Sequence, residues 1–164
     1  MRRSVMRSKG IAMSTRARPP APRLAATPPP TVAYRLPVDG RSVGWARREL
    51  RRHVRAWGID GEPAHSAELL LSELVTNAVR AEVHGRPTVG IRFDWSGGCL
   101  RLDVQDASNE LPVIGKAEED EECGRGLWLV NALASGWGVD DLGDIGKVVW
   151  VELALPETSA VRQP

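Results

Sequence analysis

Glu73-Leu74-Val75-Thr76-Asn77-Ala78 lies inside the stretch that decides how this chain is read. Leu69, Leu70, Leu74 and Val75 recur at helical spacing towards Ala81. Pro63 marks the start, because proline suits an early helical position whose N–H has no partner anyway. On such a helix Glu73 and Asn77, four residues apart, stand one turn from each other on one face. A carboxylate and an amide oxygen can then reach one ligand. The spacing alone is a weak signal, since charged and amide side chains at this interval also cover solvated helix faces. Its weight comes from the residues downstream.

Beyond Gly85-Arg86-Pro87 come two β-patterned runs, Thr88 to Trp95 and Cys99 to Gln105, joined by Ser96-Gly97-Gly98 in the manner of a hairpin. Asp106 stands where the second run ends. A carboxylate there can accept a hydrogen bond from an exocyclic amine such as that of adenine, although Asp106-Ala107-Ser108-Asn109 also suits plain turn initiation. Residues 107–123 show no periodicity and read as a long mobile loop with a functional role. Gly124-Arg125-Gly126-Leu127 then opens a short helix running to Leu133. A helix start offers an anion free N–H groups and the positive end of a dipole, and glycine lets backbone approach a phosphate closely. Strands come next around Trp137 to Asp140 and Lys147 to Leu155, separated by Gly143-Asp144-Ile145-Gly146.

Upstream, Thr31 to Leu36 alternates as an edge strand ending at Pro37. Asp39 is placed to cap a helix whose apolar stripe is Val43, Ala46, Leu50, Val54 and Trp57, and Gly58 ends it. Its other face carries Arg47, Arg48, Arg51, Arg52 and Arg55, which reads as a solvated face before it reads as a dock for an acidic partner. The element order is β-α-α-β-β-loop-α-β-β. The economical packing is an α+β two-layer sandwich, a mixed and mainly antiparallel sheet with the helices on one face.

The helix with Glu73 and Asn77, an Asp after a strand, a loop and then a Gly-x-Gly turn, in that order, together resemble the ATP-binding domain of the histidine kinase/Hsp90-like (GHKL) superfamily. Glu73-Leu74-Val75-Thr76-Asn77-Ala78 and Gly124-Arg125-Gly126-Leu127 look most like the small stand-alone members, the anti-sigma-factor serine/threonine kinases. The likeness spans about Thr31 to Leu155. It implies a Bergerat-type ATP-binding fold and the cofactors ATP and Mg²⁺. By the same likeness, Asn77 coordinates Mg²⁺, Glu73 orients or deprotonates the attacking hydroxyl, Asp106 reads the adenine, and Gly124, Arg125, Gly126 and Leu127 hold the phosphates. Two positions depart from the pattern. The family often has Asp-x-Gly where this chain has Asp106-Ala107-Ser108, and often a Thr near the last strand where Gly146-Lys147-Val148 presents Val148. Glu118-Glu119-Asp120-Glu121-Glu122, just before the phosphate turn, repels a triphosphate unless Mg²⁺ or solvent intervenes, so ATP affinity should depend strongly on Mg²⁺.

The bulk composition is compatible with this. The chain of 164 residues, 42% apolar, fits one domain, here placed at 31–156 and flanked by disordered tails at 1–30 and 157–164. The first tail holds six prolines between Pro19 and Pro30 and seven basic residues without an acid, leaving the rest with 15 basic against 21 acidic residues. It lacks the apolar centre of an export signal, and Met6 and Met13 raise the hypothesis of a later start. Two cysteines, Cys99 and Cys123, and three scattered histidines make no metal-site spacing, and no run is long enough to span a membrane. The expected setting is the cytoplasm. The functional expectation is a protein kinase that phosphorylates and binds a regulatory partner, such as a sigma factor or an anti-sigma antagonist, possible as a homodimer. The alternative is a non-catalytic, nucleotide-dependent interaction module. Nucleic-acid binding through the arginine-rich tail ranks last.

Overall fold

The computed structural model describes residues 31–81, 83–110 and 125–156, with backbone only for 125–127. Both tails, the acidic run, Cys123 and Gly124 lie outside the described residues. The elements are β1 (Thr31–Pro37), α1 (Arg41–Ala56), α2 (Gly61–Arg80), β2 (Thr88–Ser96), β3 (Cys99–Asp106), α3 (Arg125–Leu133), β4 (Gly136–Asp141) and β5 (Lys147–Ala154), in the order the sequence predicts.

Local chemistry explains most of the boundaries. The Asp39 carboxylate accepts a hydrogen bond from the Arg41 N–H at 2.8 Å and so satisfies a free amide of the first turn of α1, although Gly40 is the residue in the capping position. At the far end, Gly58 takes a positive φ of 72°, where an L side chain is strained. The stripe of α1 is Ala46, Leu50 and Val54, all buried, with Val43 half-buried against the core at its start and Ser42 buried beside it. The Ser42 hydroxyl donates to the Pro37 carbonyl at 2.7 Å and ties the helix to β1. Gly97 and Gly98, with φ of 57° and 75°, form the two-residue turn of the β2–β3 hairpin, which requires positive φ at both positions.

The sheet order is β1-β2-β3-β5-β4, and all four pairings are antiparallel. The two-layer architecture stands as expected, while the parallel pair allowed for in a mixed sheet does not occur among the described strands. The crossover through α3 does bring β4 parallel to β3, but the tight return to β5 inserts that strand between them. Along β3, Leu100, Leu102, Val104 and Asp106 alternate as buried residues, as the two-residue period of a strand requires. Leu100, Leu102 and Val104, together with Ile91, Phe93 and Val151, meet Leu70, Leu71, Leu74 and Val75 of α2 in one core. Each such side chain contributes about 1.5–3 kcal/mol on burial.

The opposite face of the sheet is polar. There the Arg101 guanidinium lies 4.4 Å from the centre of the Trp150 ring. The ring lies over Gly138, where an added Cβ would come within 2.6 Å of it. Thr31 pairs with Asp94 and Ala154 with Cys99, so the domain is entered and left at the hairpin-turn end of the sheet. Pro37, Asp106 and Lys147 mark the other end.

Candidate functional site

At that far end Asp106 closes β3, Lys147 opens β5, and the strand register pairs them directly. Both are buried, at 6% and 5% exposure. The Lys147 ammonium donates to Asp106 Oδ1 at 2.9 Å and to the Ser108 carbonyl at 3.2 Å. The Ser108 N–H donates to the same Oδ1 at 2.8 Å, a local turn typical of Asp. Gly146, with φ of 108°, lets β5 start against this turn, since a Cβ there would come within 2.6 Å of Ala107 Cα. Asp106 thus serves the turn and is also fixed by a charge partner from another strand.

Glu73 and Asn77 lie on α2, which packs across β2, β3 and β5. Burial of Leu74, Val75 and Ala78 leaves Glu73 half-buried and Asn77 exposed. The helix ends one turn later, where the Ala81 N–H donates to the Asn77 carbonyl at 3.0 Å. Helix α3 packs on α2 and starts at Arg125, so the backbone of Arg125, Gly126 and Leu127 forms its first turn. A helix start carries unpaired N–H groups and the positive dipole end. The structure therefore sets the predicted residues on adjoining elements: α2 carries the carboxylate and amide, β3 ends in the buried carboxylate, and α3 supplies backbone donors. Gly124 falls outside the described residues.

Two residues of this end, Lys147 and Ser108, escape a reading of the sequence. Val148 is the residue that stands in for a family Thr by position, but it lies on the other face of β5. There it lines a cavity of about 360 Å³ on the open sheet face with Ala33, Gly90 and Gln105. Lys147 is the residue of that strand that reaches Asp106. A second cavity, of about 230 Å³, includes Asp106 together with Ala107, Arg86 and Ile145. Among the described residues no group of three or more His, Cys, Asp or Glu side chains is placed to cage a metal, and no helix is long and apolar enough to cross a membrane.

A two-layer α+β domain with a carboxylate at a strand end, an Asn-bearing helix and a further helix opening at Arg125 is of the ATP-binding kind. The sequence profile of the histidine kinase-like ATPase domain matches residues 36–153, and the chain belongs to that family. An uncharacterized protein of Streptomyces coelicolor is 31% identical over 96 residues, covering 57% of this chain and 91% of its own length. Among solved structures, the histidine kinase domain of the Erythrobacter litoralis blue-light activated histidine kinase aligns at 22% identity with a TM-score of 0.47, covering 76% of this chain and 64% of its own. A structure of that blue-light activated kinase aligns at 22% identity and a TM-score of 0.46, covering 73% of this chain and 42% of its own. The chain thus spans less than two thirds of either.

Proposed function

We propose that this protein is an ATP-dependent serine/threonine kinase of the anti-sigma-factor type, which phosphorylates and binds a regulatory protein partner in the cytoplasm. The observation that carries the reading is the buried Asp106 at the end of β3, the strand against which the helix bearing Glu73 and Asn77 packs. The donor set suits the cofactors. Mg²⁺ takes oxygen ligands and keeps several from water and phosphate. The exposed Asn77 would supply one such oxygen, and the rest would come with the nucleotide. Bound ATP would supply the transferable phosphoryl group, and Mg²⁺ would neutralise its charge.

The chain's own residues do the remaining work. Asp106 would accept the hydrogen bond of the adenine amine. The first-turn amides of α3, with Gly124 before them in the sequence, would hold phosphate oxygens. Glu73, one turn from Asn77, would accept the proton of the attacking serine or threonine hydroxyl, or hold that hydroxyl in line. The partner would be a sigma factor or its antagonist, with the kinase acting as a homodimer.

The test is transfer of labelled γ-phosphate to a protein hydroxyl. Glu73→Ala should abolish transfer while calorimetric ATP affinity is kept. ATP binding without transfer to any candidate partner would turn the reading to a nucleotide-dependent interaction module. Val148 gives that second reading no support, because it lies away from Asp106.

A further inference from the structure

The ion pair at the strand ends is an expensive device if it serves the fold alone. Burying a lysine and a carboxylate costs several kcal/mol per ion in desolvation, and well-packed apolar residues of similar size are often as stable or more so. A Lys at the first position of β5 also does something a Thr there would not. Its ammonium is a point donor, and both side-chain hydrogen bonds that Asp106 accepts from described residues, from Lys147 and from the Ser108 N–H, fall on Oδ1. Oδ2 receives neither. Among the described residues no solvent-sealed side-chain oxygen lacks a partner, so Oδ2 keeps contact with solvent. One oxygen of the carboxylate is anchored and the other is left open as an acceptor.

We propose that Lys147 is the positioning residue for base recognition: by anchoring Oδ1 it holds the Asp106 carboxylate fixed, with Oδ2 reserved for the exocyclic amine of a purine. Three features hold the arrangement. The register sets Lys147 opposite Asp106. Gly146 brings the start of β5 into contact with the Asp106–Ala107 backbone. The second bond of the ammonium, to the Ser108 carbonyl at 3.2 Å, keeps Nζ from swinging towards Oδ2. A rigid acceptor beside a fixed cation discriminates by hydrogen-bond pattern. A purine with an amino group at C6 donates to Oδ2, whereas one with only hydrogen there leaves Oδ2 without a donor. The inference rests on the proposed nucleotide binding and adds to it the residue that sets base selectivity.

The experiment compares, by calorimetry on the full chain with Mg²⁺, the Kd of ATP with that of purine riboside triphosphate, which differs only in lacking the 6-amino group. The wild type should favour ATP by about 10- to 100-fold, the range of one charge-assisted hydrogen bond. Lys147→Arg keeps the charge but presents a planar fork that takes both carboxylate oxygens. It should keep the far-UV circular dichroism of the wild type while the preference falls to within about threefold of unity. Lys147→Met, which has no donor, should lower the preference as well. A merely structural lysine would weaken both nucleotides together and leave their ratio unchanged, and that result overturns the proposal. A wild-type ratio near one overturns it even if neither variant folds, and does so while nucleotide binding itself stands. Failure of the wild type to bind either nucleotide removes the underlying reading and the proposal with it.

Discussion

Gly146 and Asp106 touch backbone to backbone: a Cβ on Gly146 would overlap the Asp106 carbonyl oxygen, and the φ of 108° at Gly146 belongs to glycine. The contact joins the start of β5 to the end of β3, where the buried carboxylate sits. Gly146→Ala combines a φ strain of about 1–3 kcal/mol with a steric overlap that flexible side chains cannot relieve. It should lower the urea unfolding free energy by about 3 kcal/mol or more. Gly40→Ala, at a φ of −58° with open space around it, should change stability by less than about 1 kcal/mol. Equal effects of the two substitutions would rule the contact out as the cause.

Neighbouring leucines on α2 test its rotational setting. Leu70 is fully buried, whereas Leu69 is 43% exposed. Leu70→Ala should cost about 2–5 kcal/mol in urea unfolding, and Leu69→Ala about 0.5 kcal/mol or less. The opposite order would turn the helix over and remove Glu73 and Asn77 from their present positions.

His53 should make stability fall on mild acidification. Burial holds its pKa below the ordinary histidine value of 6.5, the Arg52 guanidinium adds to the lowering, and the Glu49 carboxylate opposes it. Tyr34 Oη lies 2.6 Å and Arg52 Nη2 3.3 Å from His53 Nε2, and the guanidinium contact requires a lone pair on that nitrogen. A depressed folded pKa means the unfolded chain takes up the proton first. The stability is therefore fully present above about pH 6.5 and is lost as pH falls through the lower folded value. Thermal midpoints at pH 7 and pH 5 should differ more for the wild type than for His53→Gln. Glu49, whose pKa is lowered chiefly by its hydrogen bond to Arg52, responds only at more acid pH.

Asn77 is exposed and its side chain supports no described contact, so Asn77→Ala should leave the thermal midpoint within about 2 °C of the wild type. ATP affinity measured with Mg²⁺ should fall by at least about tenfold, and affinity in excess chelator should change little. A uniform loss in both conditions would assign Asn77 to the nucleotide itself rather than to the ion.

The features legible in the sequence are those that local rules write. The 3.6-residue recurrence of Leu70, Leu74 and Val75, the paired glycines at 97 and 98, and Pro63 near a helix start each act within a few residues. They also place the ends of the strands next to them. Pairing β3 with β5 joins residues 41 (Asp106 and Lys147) to 55 (Cys99 and Ala154) positions apart, and it is β5, not the earlier β4, that lies beside β3. No periodicity encodes that outcome. Lys147 is therefore easy to pass over beside its neighbour Val148, because one step along a strand moves a side chain to the other face. Ser42 hides for a related reason: a small polar residue beside Val43 is buried only because Pro37 offers its hydroxyl a partner. Asp106, Glu73 and Asn77 are visible as residue types in order, and the structure adds the elements that carry them.

The placement of Thr31 and Ala154 at the hairpin end of the sheet gives the domain two poles. About seven residues of strand, roughly 23 Å, separate its chain ends from Asp106 and Lys147. The described domain thus begins and ends at one pole, while the carboxylate and its lysine stand at the other, so that the two are bridged only by the length of the strands.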